Sequence, residues 1–529
     1  MTMSNQAYAR IGKSQTSGNG LFADKAIPAG ESVLSISRPL VGVVEAARLS
    51  DTCANCFKWT AESSIGSRPN VESNGVKACT GCRTVGYCSR ACQKEGWKRH
   101  HKYECEIMAS TVSKGNMPTA ARATMQFLIR RAKGLINDET WESVLSMESH
   151  IEDMRAAGGE KWMEVQLVAQ GAWAFSMTQA EFTLGFATEM LGRVLTNSLT
   201  LVTPTYDPVG ICIDPLAAMA NQSCDPNAVV VMDGPVISFR SLRPIKKDEE
   251  IFISYVDGTN PFARRQQELK QRWHFTCKCT KCQKGPTTPS DLYSISPNNL
   301  DAKWKATADH LLRETPFAKE PANYVGDDVN SRRAAVIQGV AFDKLETARS
   351  TSDPRQAISL IEDGMRTCFQ SKLFPVHRQP YAALRHDLLV NMISTGNHGI
   401  AFAQGAKSYF HVDPVLFPEP HHPMRVVHNW RLAMLLMYLG SEQDNPMTRD
   451  MVEQGVDLGI IIYGLLIEVQ SNVASSHGKD SSFARAVQRK VQEVEVDMTR
   501  GDVGALRGVE KRIEKEWKLF RQMGSWMQY

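Results

Sequence analysis

Eight residues between Cys53 and Cys105 fall into four close pairs: Cys53-x2-Cys56, Cys79-x2-Cys82, Cys88-x3-Cys92 and His101-x3-Cys105. Thiolate sulfur and imidazole nitrogen are the donors that zinc gathers into a tetrahedron, and a close pair wraps one edge of it. Eight donors serve two ions. The order of the pairs points to an interleaved arrangement. Cys53, Cys56, Cys88 and Cys92 would hold one ion, and Cys79, Cys82, His101 and Cys105 the other. His100 stands beside His101, but the spacing to Cys105 favours His101. A stretch so poor in apolar residues takes most of its folding free energy from its metal.

A second set lies further on. Cys277, Cys279 and Cys282, in "TCKCTKC", offer three thiolates, one short of a closed structural zinc site. Three cysteines stand apart. Cys212 lies in the alternating "GICID" and reads as core, and Cys368 lies in a helical pattern. Cys224, in the polar "NQSCDPN" (221–227), is the best fourth ligand. A third zinc would then staple the 277–282 loop onto that segment. Clustered thiols of this kind read as metal ligands in a reducing compartment rather than as disulfides.

The chain that must position these groups has 529 residues, 42% of them apolar and 22% charged, with a net charge of +4. That length exceeds one ordinary core, so two to four domains are expected. The mild charge argues against a protein built around a nucleic-acid face. The N-terminus "MTMSNQAYARIGKS" has no apolar signal-like run. The apolar run "GIIIYGLLI" (459–467) is about half of what a membrane helix needs. We therefore expect an intracellular protein, cytoplasmic and/or nuclear, with a buried helix there and no membrane contact.

Residues 110–198 show helical spacing in "PTAARATMQFLIRRAK", "DETWESVLSMESHIEDM" and "QAEFTLGFATEMLGRVL". Short strands follow in "LTLV", "VGICID", "NAVVVM", "PVISFRS" and "EIFISY", separated by turn signals such as Asp233-Gly234. The 22 residues between Cys56 and Cys79 include "SSIGSRPNVESNG", which reads as a surface loop. Residues 283–300 are rich in Pro and Ser and read as a linker. From 301 to 529 the pattern is helical, around eight helices in an antiparallel array. No clear repeat of about 34 residues is visible, so a tetratricopeptide-like arrangement is an analogy.

The first cluster, down to "GYCSRACQKEGWKRHHKYEC", resembles the MYND zinc finger. The second set lies in a wider resemblance. "SGNGLFADKAIPAGESVLSI" (17–36), "NQSCDPN" (221–227), "DEEIFISYVD" (248–257) and "HFTCKCTKC" (274–282) resemble, in order, the motifs of SET-domain lysine methyltransferases and their post-SET loop. A MYND-type finger that splits a SET domain resembles the SET-and-MYND (SMYD-like) family. The resemblance covers roughly residues 10–285 well and the remainder in general character. It implies an α+β multidomain fold: a β-rich SET domain split by a MYND zinc finger, a zinc-binding post-SET loop and a C-terminal α-helical, TPR-like domain. The boundaries expected are 5–50 for the first part of SET, 51–105 for the finger, 106–198 for a helical insert, 199–258 for the SET core, 259–285 for the post-SET loop and 301–529 for the helical domain.

The resemblance also implies a reaction: methyl transfer from S-adenosylmethionine to a lysine amine of a histone or non-histone protein. It implies three zinc ions. Gly18, Asn19 and Gly20 would approach the cofactor, together with Asn197, Asn221 and the backbone at Gln222. Tyr255 would be the catalytic tyrosine, also touching cofactor, and Phe275 would stack on adenine. Two positions depart from the family pattern. Gln222 replaces the motif's His, and Trp273 replaces a second tyrosine that helps shape the lysine channel. These departures put the extent of methylation, and activity itself, in question. The alternative is a catalytically weak SET scaffold that recruits partners through its finger and helical domain. The finger's expected partners are proline-containing peptides, with DNA as a weaker reading carried by the short basic run "KRHHK".

Overall fold

A computed structural model describes residues 8–15, 17–59, 75–111, 117–288, 290–291, 329–371, 373–441, 446–500 and 506–525. Most of the loop expected between Cys56 and Cys79, and the linker beyond residue 291, lie outside these. The described chain forms two compact units. One holds residues up to 255 together with 267–277, the other residues 256–266 and those from 278 onward.

The first unit is built on short strands. Strands β1 (Ala9–Lys13), β2 (Asn19–Ala23), β3 (Ser32–Ile36) and β4 (Val41–Val44) precede the cysteine-rich segment. That segment contains the two-residue strands β5 (Lys77–Ala78) and β6 (Gly86–Tyr87) and helix α1 (Arg90–Arg99). Ser89 starts α1 by accepting the Cys92 amide through its side chain at 3.1 Å, a normal helix cap. Helices α2 (Cys105–Thr111), α3 (Thr119–Ala132), α4 (Asp138–Leu145), α5 (Ile151–Ala157), α6 (Gly159–Ser176) and α7 (Leu184–Asn197) follow. The run "DETWESVLSMESHIEDM" breaks into α4 and α5, because His150 takes a left-handed backbone at φ 51° that a helix interior cannot hold.

The remaining strands are β7 (Leu199–Val202), β8 (Pro208–Ile213), β9 (Asn221–Gln222), β10 (Ala228–Asp233), β11 (Val236–Ser241) and β12 (Glu250–Ile253). They form sheets ordered β1-β2-β12-β9, β10-β11-β3 and β4-β8-β7. Alternation drives this pairing, since every second side chain of a strand faces the core. Leu21, Val33, Leu34, Phe239 and Ile251 are fully buried in one cluster. Phe127, Val144, Met190 and Ile213 form a second cluster, where α3 packs on β4, α6 and α7. Cys212 is buried in β8, as its alternating context predicts. Gly210 in the same strand needs its missing side chain, because a Cβ there would lie 2.0 Å from the Val43 carbonyl oxygen.

The second unit is mainly helical. Of residues 283–300, expected as linker, the described 283–288 and 290–291 are folded: Thr288 and Asp291 are buried, and the Asp291 carboxylate accepts the Phe262 amide at 2.6 Å. Beyond residue 329 the described residues hold ten helices, more than the eight expected because short turns such as Asp413–Leu416 count among them. Helices Val329–Ser350, Pro354–Ser371, Tyr381–Ser394 and His398–His411 each pack on the next. Asp353 accepts the Arg355 amide at 3.0 Å, ahead of a helix whose first residue is Pro354. Cys368 is buried in that helix. The apolar run at 459–467 lies in the 20-residue helix Leu458–His477, long and apolar enough to cross a membrane. Ile460, Ile461, Leu465 and Leu466 are buried there, and the helix packs against Pro423–Ser441, Ser482–Thr499 and Val509–Gly524.

Candidate active site and metal centres

Three groups of ligand atoms come together in the described residues. Cys53, Cys56, Cys88 and Cys92 form one, Cys79, Cys82, His101 and Cys105 the second, and Cys224, Cys277, Cys279 and Cys282 the third. Within each group every donor atom lies within 4.8 Å of the others. Three sets of four soft donors at that separation are what a tetrahedral zinc ion takes. The pairing is interleaved, because the second Cys pair folds back between the first and the third. The Cys53 amide bonds the Lys58 carbonyl and the Ala54 amide that of Gly86, tying the first knuckle to β6.

His101 is the member of the His100–His101 pair that faces the metal position, with Nε2 3.6 Å from Cys82 Sγ. Tyr87 and Trp97 meet its ring edge-on, each at 5.9 Å between centroids. Burial pushes the imidazole pKa down to about 4, so at neutral pH its nitrogen lone pair is free to ligate. His100 instead pairs with the buried Glu104 carboxylate at 3.2 Å.

Of the residues expected around a methyl donor, Asn19, Gly20, Asn221, Gln222 and Tyr255 gather about β12. Strand β2 runs antiparallel on one side of it, with Glu250 opposite Phe22. Strand β9 runs parallel on the other, with Phe252 beside Asn221 and Ile253 beside Gln222. The 18–20 turn and the 221–224 segment therefore flank one strand. Gly18 holds φ at 53°, the left-handed conformation that glycine adopts without penalty. The Asn221 amide nitrogen donates to the Asn19 carbonyl at 3.0 Å and to Glu250 Oε1 at 2.7 Å. Glu250 Oε2 accepts the Ser14 hydroxyl at 2.9 Å. A Cβ on Gly20 would lie 2.4 Å from Glu250 Oε1 and 2.9 Å from Asn221 Nδ2. The crossing of these segments thus needs a bare backbone.

Tyr255 follows β12 directly. Its hydroxyl donates to the Ala220 carbonyl at 2.8 Å. Burial, and then the Glu250 charge, push the phenol pKa above its ordinary range, so it stays protonated at neutral pH. The Trp273 ring lies 5.2 Å from the Tyr255 ring, tilted by 38°. Trp273 is itself fixed by Nε1 donating to the Thr196 carbonyl at 2.9 Å. Two aromatic faces therefore wall this point, although one is an indole where the family pattern has a phenol.

The Gln222 side chain is engaged in a way its sequence position does not suggest. Its Oε1 accepts the Tyr255 backbone amide, and its Nε2 donates to Cys224 Sγ at 3.4 Å. The expectation that this position works through its backbone misses these two bonds. No local pattern signals them, because the Tyr255 amide reaches Gln222 only through the pairing of β9 with β12. Asn227 also engages β12. Fully buried, it accepts the Phe252 amide at 2.8 Å and donates to the Glu250 carbonyl at 2.8 Å, holding β12 in place.

Asn197 closes α7, and its amide nitrogen donates to the Glu148 and Arg193 carbonyls at 2.7 and 2.8 Å. The neighbouring Thr196 is the residue that holds Trp273. Phe275 is half-buried and follows His274, whose φ of 58° turns the chain sharply before Cys277.

The family description "SET domain" matches residues 18–256, which encloses the finger. A protein named "SET domain and MYND-type zinc finger protein 6", from Schizosaccharomyces pombe, is 30% identical over 272 residues, 51% of this chain and 51% of its own length. The Arabidopsis thaliana protein named "Histone-lysine N-methyltransferase ASHR1" is 25% identical over 384 residues, 70% of this chain and 75% of its own. The Homo sapiens "Histone-lysine N-methyltransferase SMYD3" is 28% identical over 279 residues, 50% and 59% respectively. The match thus spans about half the length of the first of these relatives. A SET match that runs straight across an interleaved Cys/His finger, and a relative named for both parts, make the chain similar to the SET-and-MYND proteins over about half its length.

Proposed function

We propose that the protein is an S-adenosylmethionine-dependent protein-lysine N-methyltransferase acting on histone or non-histone proteins. The single observation that carries this is Tyr255, held at the end of β12 by Gln222 and aimed by its bond to Ala220, with Trp273 facing it. The names of the Arabidopsis and human relatives support the same reaction.

S-adenosylmethionine, when bound, supplies an electrophilic methyl group on a sulfonium. Gly18, Asn19, Gly20, Asn197, Asn221, Gln222 and Phe275 are the residues assigned to hold it. The bare backbone at Gly20 beside the Asn221 amide and the Glu250 carboxylate suits a polar amino-acid portion carrying an ammonium. The Tyr255 proton is spent on Ala220, so the phenol oxygen presents lone pairs. Those lone pairs accept from a lysine amine and hold it in line, and such positioning supplies much of the rate in a displacement. An amine between buried aromatic faces is poorly solvated, which favours its neutral, nucleophilic form. The three ligand sets are assigned to zinc as structural ions, since each is closed by four protein donors and leaves no open position.

The partner is a protein bearing the target lysine. Proline-containing peptides are assigned to the finger, and the cytoplasm and/or nucleus is the expected location. Labelled-methyl transfer to histones and to a cell lysate tests the reading. Wild-type protein is expected to transfer label and Tyr255→Phe to lose it by about a hundredfold or more. Equal transfer by both would overturn it. Binding of S-adenosylmethionine without transfer by either would favour the scaffold reading, which the indole at 273 motivates.

A further inference from the structure

Helix α6 (Gly159–Ser176) has two opposed faces. Ala169, Ala172 and Ser176 are buried on the inner one, where α6 packs against α3 and α7. The Trp173 indole donates to the Phe182 carbonyl at 2.7 Å and ties the helix end to the turn that leads into α7. The outer face is apolar where the solvent side of a helix is ordinarily polar. Met163 is 60% exposed, Leu167 70% and Phe175 39%. These residues and Gly171 are spaced four apart, so they form one i±4 ridge about 18 Å long. Single exposed apolar side chains need no explanation, but a continuous row of them marks a surface that another molecule covers.

Gly171 is a notch in this ridge. It lies in the interior of an 18-residue helix, where glycine is destabilising relative to alanine. The fold of the chain does not require it. A Cβ there would meet nothing within 4 Å, and the backbone is not left-handed. Close approach by a second helix does require it, because a missing side chain lets a neighbour's side chain sink toward the backbone. The knob at Leu167 and the notch at Gly171 belong to one ridge, a single turn apart. That is the condition for a surface to be complementary to itself.

We propose that the outer face of α6 is a self-association surface, covered by α6 of a second copy of this chain in an antiparallel crossing. A two-fold axis at the level of residue 169 sets Leu167 against the partner's Gly171 and Met163 against the partner's Phe175. Symmetry makes each contact twice. The leucine fills the notch, and the thioether meets the aromatic ring. Ridges of i±4 spacing interdigitate in the commonest class of helix crossing. The charges agree with this alignment. Glu164 falls opposite the partner's Ala174 and Lys161 opposite the partner's Met177, so no like charges meet. A parallel alignment would set knob against knob and Glu164 against its own copy. One helix pair buries less surface than a permanent dimer does, so the association is reversible. It stands independently of the methyltransferase reading.

The test is sedimentation equilibrium of the full-length, zinc-loaded chain between about 1 and 200 μM. The wild type is expected to rise from monomer toward dimer mass across that range. Leu167→Glu and Gly171→Leu are each expected to weaken the dimer about tenfold or more, the first by burying a carboxylate and the second by filling the notch. The new side chain of Gly171→Leu points into open space within its own chain and raises helix propensity, so its Tm should not fall. The double variant Leu167→Gly with Gly171→Leu exchanges knob and notch. It is expected to regain the dimer, which a mere change in helix stability would not do. Monomer mass at every wild-type concentration overturns the proposal and leaves the ridge to a different partner. So does a dimer insensitive to both single variants with circular dichroism unchanged, or a double variant that stays monomeric.

Discussion

Gln222 couples a candidate metal ligand to the strand end that carries the tyrosine, through Cys224 Sγ on one side and the Tyr255 amide on the other. Gln222→Leu removes both bonds at similar volume. We expect kcat to fall about tenfold to a hundredfold, the range for residues that orient a ligand's neighbours, with KM for the cofactor little changed. Gln222→His restores a donor and an acceptor and is expected to recover most of the loss. A merely structural role would lower stability and move both variants alike, so steady-state kinetics beside melting curves tells the two apart. Cys224→Ser addresses the ligand itself. Metal analysis should find three zinc ions per chain in the wild type and two in this variant; an unchanged count would remove Cys224 from the site. At this scale the donor clusters were legible because pair spacing is a local property that thiolate chemistry dictates. The second roles of Gln222 and Asn227 were not, since both depend on β12, which is remote in sequence and close in space.

Elements carry the next level of the argument. The β1-β2-β12-β9 order places the two segments assigned to the cofactor either side of β12. Gly18 and Gly20 serve this crossing differently. Gly18 needs a left-handed backbone but has open space around it, so Gly18→Ala costs about 1 kcal/mol of strain and little else. Gly20→Ala drives a methyl into Glu250 and Asn221 and must displace them. Calorimetric titration with S-adenosylhomocysteine should show affinity lowered about tenfold or more by Gly20→Ala and changed far less by Gly18→Ala. Equal effects would mean that this turn does not face the cofactor. The long strands were legible from alternation and turn residues. Strand β9 has two residues, too few to show a period, and the break between α4 and α5 rests on one left-handed histidine in an otherwise helical pattern. The helix Leu458–His477 outran its apolar run because Val469, Val473 and Ser476 continue its buried face at helical spacing.

For the whole chain, the change in periodicity after the second cysteine set predicts a helical C-terminal part, whereas the compact units divide earlier, with 256–266 and the chain from 278 on in the helical one. What periodicity does not reveal is that the helical unit buries histidines neutral. Burial is the first cause in each case. It lowers the pKa of His377 and of His422 to about 3 and that of His411 to about 4. Arg378 adds to this at His377, His428 at His422 and Lys407 at His411. An unfolded histidine titrates near 6.5. Between that value and the folded pKa the unfolded chain holds protons that the folded chain refuses, so stability rises with pH across the window and is level above it. The unit therefore weakens as pH falls from about 6.5 toward 4. Scanning calorimetry of the full chain should show the Tm of the helical unit dropping on the order of 10 °C between pH 7.5 and 5. Burial lowers the His386 pKa in the same direction, so His377→Asn with His422→Asn removes two of these titrating groups and should reduce that slope, whatever it does to the Tm at pH 7.5. A wild-type Tm level down to pH 5 would mean that these imidazoles take up protons in the folded state, and that their burial among Arg378, His428 and Lys407 is looser than the packing of these helices implies.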